Sequence, residues 1–317
     1  MYILKQTIKG KEKNFEYIKF NNKYEFNQIK YYISYVNKYK IFKLLFNDVI
    51  ENYDVFIESI SNSRNRDKKI VNLFLNYINS VKKFEEKSYR EFKKLFDDSF
   101  FKKILKETHN NRAYNLIYNM RNYDEHIGSP IKTIKVNING DVKLFSDIYE
   151  IKKELKQTGW KKLLDEQFKN DNIIEVNLYI KESYDIVNYI WKKIYEYIIL
   201  EDIFLSKFCV KLQEFYNRYK SDNDIFSLYL CDEKKYDRLK LTNNIDILFV
   251  KEILFAKTLH IANVEFKIGD TIIDNDIKYK CVLKNKDIVN NKIMDQLFVP
   301  TCLDNKDIKF IIDNIKK

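Results

Sequence analysis

Arg112-Ala113-Tyr114-Asn115-Leu116-Ile117-Tyr118-Asn119-Met120-Arg121-Asn122-Tyr123-Asp124-Glu125-His126-Ile127-Gly128-Ser129-Pro130 is the stretch of this chain that carries both a fold and a chemistry. Just ahead of it, Thr108-His109-Asn110-Asn111 offers side-chain oxygens that can accept from the free N–H groups at a helix start. Behind it, Gly128 supplies C-terminal punctuation and Pro130 cannot continue a helix. With residues about 100° apart on the helix wheel, Leu116, Ile117, Met120, Tyr123 and Ile127 share one arc. Asn115, Tyr118, Asn119, Arg121, Asn122, Glu125 and His126 fill the opposite arc, and Asp124 alone among the polar residues falls on the apolar side. The expectation is a helix over residues 112–127 with its back in a core and its polar face outward.

Outward from this helix the periodicity stays helical. Ile29, Ile33, Val36, Tyr39, Ile41, Leu44, Leu45, Val49 and Ile50 recur at helical spacing between Tyr24 and Ser59, as one long helix or a pair. Residues 61–67 read as a polar loop, followed by helices over about 70–84 and 88–105. After Pro130 the period drops to two: Ile134, Val136 and Ile138 alternate with polar residues, and Asn139-Gly140 is a hairpin-turn signal returning along 141–145. Helical patterns resume over 146–168 and over about 180–219, while residues 1–20 suggest a strand or hairpin around Gly10. Beyond residue 222, β-rich runs at 245–250, 264–268 and 278–283 alternate with Asn/Asp turns. The reading is a mostly α protein: a helical domain over 1–221 with a small β-hairpin near 131–146, and a mixed α+β region of unknown role over 222–317.

Composition limits the alternatives. The 317 residues suffice for one large domain or two ordinary ones, and 45% hydrophobic with 15% aromatic residues excludes a disordered chain. Only 5 Gly and 2 Pro leave few tight turns, which disfavours an all-β sandwich. The charge of +11 favours polyanionic partners, although AT-rich codons would also produce abundant Lys, Asn, Ile and Tyr. Cys209, Cys231, Cys281 and Cys302 form no CxxC or other metal-ligand spacing, so no metal or other cofactor is expected. Lys5 interrupts the apolar start before an h-region forms, and the greasy region 186–205 carries five charged residues. A cytoplasmic protein with reduced thiols and no membrane association is expected.

The polar arc with Arg121 and His126 resembles the motif of HEPN-superfamily ribonucleases, and its residue types fit the RNA cleavage that this resemblance implies. Internal cleavage of RNA needs a base for the 2′-OH proton, an acid for the leaving 5′-oxygen and a cation for charge developing on the phosphorane. Histidine titrates near neutral pH, so His126 is the candidate general base or acid. The planar fork of Arg121 suits non-bridging phosphate oxygens, and Asn122, one turn before His126, is placed to orient the phosphate or fix the His126 tautomer. Glu125, four residues after Arg121, is placed to hold that arginine in an intrahelical ion pair.

Arg121-Asn122-Tyr123-Asp124-Glu125-His126, late in a helix of a helical bundle, resembles the R-x(4-6)-H motif of the HEPN superfamily. The match is six residues long, and the helical context extends it to about residues 24–218. The resemblance implies a homodimer in which two such helices meet, a composite metal-independent ribonuclease site of Arg121, Asn122 and His126, and products ending in 2′,3′-cyclic phosphate and 5′-OH. It also implies toxin, abortive-infection or antiviral-defence company, with an antitoxin or sensor protein as a further partner. Ile127-Gly128 follows His126, so the Tyr that some nucleotidyltransferase-paired members carry two residues beyond the His is absent.

Weaker RNA contacts are assigned to Asn119 on the same arc and to the basic loop Arg64, Arg66, Lys68 and Lys69, which solvation alone would also explain. His109 and His260 read as structural or solvated. No Walker, GxGxxG, HExxH or GxSxG motif is present. Two other readings stay open: a non-catalytic HEPN-like module that binds RNA or protein, and a helical interaction protein without a nucleic-acid role.

Overall fold

The computed structural model describes residues 1–9, 12–61, 67–137, 141–155, 159–219, 225–231, 244–261, 266–286 and 293–315. Helices dominate, with three small antiparallel sheets. By compactness the chain falls into two units, Ile41–Glu196 and a discontinuous one of Met1–Lys40 with Tyr197–Lys317. Neither coincides with the single division expected at 221/222. No helix among the described residues is long and apolar enough to cross a membrane.

The unit Ile41–Glu196 carries the 112–127 stretch. Helix α1 (Lys23–Ser61) begins outside this unit and is one 39-residue helix rather than a pair. Helix α2 (Asp67–Leu95) runs unbroken through residues 85–87, where the charged run Glu85-Glu86-Lys87 suggested a gap. The reason is that Val81, Phe84, Glu85, Ser88 and Phe92 are all buried, so the inward stripe continues at 3–4 residue spacing. The chain breaks instead at 96–98, where the Asp97 carboxylate accepts from the Ser99 hydroxyl at 2.6 Å, and α3 (Ser99–His109) follows.

Helix α4 (Arg112–His126) starts where the sequence placed it: the Asn111 side chain accepts from the Tyr114 N–H at 2.9 Å. It ends as Ile127 and Gly128 N–H both donate to the Tyr123 carbonyl, with Gly128 at φ +152°, which a side chain rarely tolerates. α4 packs against α2, α3, α5 (Ile148–Glu154) and α6 (Gly159–Gln167). Burying Leu116, Ile117 and Met120 contributes roughly 1.5–3 kcal/mol each. Around it, Phe46 stacks on Trp191 at 5.1 Å, Tyr53 on Tyr184 at 3.9 Å, and the Tyr77 hydroxyl bonds Ser183 Oγ at 2.8 Å.

The inserted hairpin is present as β3 (Thr133–Val136) and β4 (Val142–Asp147), with Thr133 opposite Phe145; its Asn139-Gly140 turn lies outside the described residues. A third strand, β5 (Ile173–Glu175), joins the β4 edge and was not expected. The inward face belongs to β4, whose Val142 and Leu144 are buried, while Val136 of β3 is exposed.

In the other unit, β1 (Tyr2–Lys9) and β2 (Glu12–Lys19) form the N-terminal hairpin, and β6 (Ile225–Cys231) pairs with β1 to give the order β2-β1-β6. The expected helix over 180–219 is two helices: α7 (Asn177–Glu201), most of which belongs to the first unit, and α8 (Ile203–Asn217). Asp202 divides them, because its carboxylate accepts from Leu205 N–H at 3.0 Å and so starts a new helix. Residues 245–250 do not form the expected strand. They enter helix α9 (Ile247–Ala256), capped by Asp246 and burying Phe249, Val250, Ile253 and Leu254 against α8, so packing overrides β-branched propensity. Of the run 264–268, residues 266–268 are not a strand and the rest lies outside the described residues. The last sheet has the order β7-β10-β9-β8, from β7 (Leu259–Ile261), β8 (Thr271–Asp274), β9 (Ile277–Lys286) and β10 (Ile293–Pro300). Asn275 and Asp276, at φ 48° and 62°, form the β8–β9 turn. Helix α10 (Asn305–Ile315) closes the described chain.

Candidate functional site

The polar arc of α4 does not face outward along its whole length. Asn115 and Asn119 are buried; Asn119 Nδ2 donates to the Asn115 carbonyl at 2.8 Å and to Asn115 Oδ1 at 2.9 Å. Asn115 Nδ2 in turn donates to Gln167 Oε1 on α6 at 2.9 Å. These amides satisfy one another inside the bundle, as buried polar groups must, and Asn119 is therefore not an RNA-facing residue. A helix wheel could not reveal this, since a second helix covers part of the polar arc.

Beyond the exposed Arg112 at its start, α4 brings its charged groups to solvent in its last turn. Arg121 is four-fifths covered, Asn122 half-buried, and the His126 side chain 67% exposed. One oxygen ties this turn together. Glu125 Oε2 lies 2.7 Å from Arg121 Nη1, 2.9 Å from Lys82 Nζ and 4.0 Å from His126 Nε2. Lys82 comes from α2, is only 11% exposed in its side chain, and also donates to Asn122 Oδ1 at 2.7 Å. Glu86, a turn further along α2, approaches Lys82 at 3.5 Å.

These contacts set the electrostatics. Hydrogen bonds from Lys82 and then Arg121 hold the Glu125 carboxyl far down, at about 2, so it is ionised throughout the range in which proteins work. Asp124 is shifted the other way, upward, by burial. Arg121 Nε is buried without a hydrogen-bond partner among the described residues, and the guanidinium meets Glu125 through Nη1. The Tyr118 hydroxyl is pushed up by burial, and its ring lies 6.0 Å from Lys82 Nζ.

Asn122 behaves differently from its expected role. Its Oδ1 accepts from Lys82, and among the described residues no hydrogen bond joins it to His126. Lys69 is exposed on α2, and Lys68 lies on the same helix; Arg64 and Arg66 lie outside the described residues. His109 ends α3, fully buried rather than in a capping loop, with Nε2 2.9 Å from Glu85 Oε2, which also accepts from the Tyr114 hydroxyl at 2.6 Å. His260 sits exposed on β7 opposite Leu297. No group of His, Cys, Asp and Glu among the described residues is arranged to hold a metal ion.

Lys82 is the residue that sequence reasoning missed. On α2 it is one of many lysines, and nothing in its local pattern announces that α2 lies beside the last turn of α4. No family model, curated protein or solved structure matches this chain. In this site two cations bond a single anionic oxygen and one imidazole lies 4.0 Å from it, a donor arrangement suited to an oxyanion.

Proposed function

We propose that the chain is a metal-independent endoribonuclease of HEPN type, acting in anti-phage defence or as a toxin. The observation that supports this most is the meeting of Arg121 and His126 at one carboxylate oxygen, at the solvent-reaching end of an otherwise packed helix. A non-bridging phosphate oxygen in that place accepts from the Arg121 fork, which then stabilises the charge that grows as the 2′-oxygen attacks phosphorus. His126, free to approach substrate, takes the 2′-OH proton or delivers one to the leaving 5′-oxygen. The fragments end in 2′,3′-cyclic phosphate and 5′-OH.

One His126 serves one proton transfer at a time, so a homodimer that brings two α4 ends together supplies acid and base at once. The helical packing of α2, α3, α4 and α6 around the motif fits a HEPN-like bundle, and the +11 charge fits an RNA partner. An antitoxin or sensor protein would restrain such an activity, and a cytoplasmic location fits its substrate. The Arg121–Glu125 ion pair favours a second reading, in which the motif is structural and the chain is a non-catalytic binding module.

Cleavage of total and transfer RNA in EDTA decides between them. Wild type should cut and leave cyclic phosphate ends, and His126→Ala should lose activity by about 10²–10⁴-fold. Equal behaviour of wild type and variant removes the ribonuclease reading.

A further inference from the structure

We propose that Lys82 is a third phosphate-binding residue of this site, and that the Glu125 carboxylate occupies the position of the scissile phosphate until RNA displaces it. The inference rests on the ribonuclease reading for its substrate, but its geometry stands alone. Arg121 and Lys82 converge on Glu125 Oε2 from two different helices, at 2.7 and 2.9 Å, as they would on a non-bridging phosphate oxygen.

Burial identifies the member of this cluster that can leave. The Lys82 side chain is 11% exposed and that of Arg121 20%, so both cations are held by their surroundings, whereas Glu125 is 41% exposed and can swing into water. Lys82 is further fixed by donation to Asn122 Oδ1 at 2.7 Å and by its approach to Glu86 at 3.5 Å. Asn122 thereby positions Lys82, which gives it a role beside the phosphate without a bond to His126. Exchanging a carboxylate for a phosphodiester replaces one negative charge by another, so the cations need not stay uncompensated.

Protonation does not open this site near neutral pH. With its carboxyl held at about 2 by Lys82 and Arg121, Glu125 stays charged and only a competing anion removes it. Asp124, Glu86 and Glu125 are the carboxylates around the cations, and Glu125 is the one that both cations contact directly.

The test compares wild type, Lys82→Gln, Lys82→Arg and Glu125→Gln, each confirmed folded by thermal melting. The binding probe is a short single-stranded oligonucleotide whose 2′-deoxy sugars prevent cleavage, titrated at several KCl concentrations, with cleavage of the all-ribose oligonucleotide followed in parallel. Lys82→Gln should weaken binding about tenfold and lower the slope of log K against log salt by about 0.7, the loss of one phosphate contact to a single strand. Lys82→Arg should restore most of the affinity, and Glu125→Gln should tighten binding about fivefold, because the competitor loses its charge. Cleavage by wild type with both substitutions silent in binding overturns this inference and leaves the ribonuclease reading standing. Binding that responds to both substitutions without any cleavage supports the phosphate site and overturns the ribonuclease. Neither binding nor cleavage overturns both.

Discussion

At the scale of residues, the carboxylates of α2 divide into two kinds. Glu86 is exposed over 55% of its side chain, whereas Glu85 is 4% exposed and serves as shared acceptor for His109 and Tyr114. Burial and this carboxylate raise the Tyr114 hydroxyl well above its ordinary range, so it stays a donor. Glu85→Ala takes an acceptor from two fully buried partners and should destabilise the protein by about 2–4 kcal/mol, measured as a lower urea midpoint. An unchanged midpoint would show that His109 and Tyr114 find replacement acceptors at no cost. The three histidines have separate fates: His109 is enclosed by α2 and α4, while His126 and His260 lie exposed at a helix end and on an edge strand.

At the scale of elements, polar residues decide where helices stop. Asn111 begins α4 and Asp246 begins α9 through one side-chain acceptor each. Asp202 does more, because besides capping α8 it accepts from the Tyr35 hydroxyl at 2.8 Å and from the Tyr39 hydroxyl. Burial and the Asp202 bond push Tyr35 up to about 12 and Tyr39 higher still, so both remain protonated donors. Asp202→Ala removes a cap worth about 1 kcal/mol together with the acceptor of two hydroxyls, for a total loss of about 2–4 kcal/mol. Urea denaturation of this variant should show that loss as a lower midpoint, and an unchanged midpoint would show that the two hydroxyls find other acceptors. Capping residues of this kind were legible at 111 and 128, where they flank a clear periodic run. They were not legible at 202, because Asp202 is one of five charged residues scattered through a helical-period stretch from Ile186 to Leu205 and nothing local sets it apart.

At the scale of the whole molecule, the ribonuclease reading calls for two chains to complete the proposed site. If two α4 ends share one catalytic centre, Arg121→Ala and His126→Ala proteins should each be inactive alone and regain a measurable fraction of wild-type cleavage when refolded together. Sedimentation should show a dimer under the same conditions. Recovery on mixing cannot arise from a monomer that needs both residues in one chain, so its absence alongside an active wild type would remove the composite site. On the ribonuclease reading the +11 charge belongs to this scale too: it would raise the local concentration of RNA, and cleavage should weaken with salt beyond any single contact.

The sequence by itself determined the elements whose signals are local. The extended character of the N-terminal segment, the cap at Asn111, the stop at Gly128 and the placement of Arg121 and His126 five residues apart near the end of one helix all follow from neighbours a few residues apart. Tertiary structure alone decided which polar residues face water and which are enclosed. Asn115 and Asn119 carry the same pattern as Asn122, yet α6 accepts the first pair into the bundle. Residues 245–250 carry a strand's composition, yet the surface of α8 makes a helix of them. Lys82 lies 43 residues from Glu125 and meets it only because α2 packs against α4. Periodicity specifies which face of an element is apolar; it holds no information about which second element covers that face, and that covering placed Lys82 and Glu125 at the end of α4.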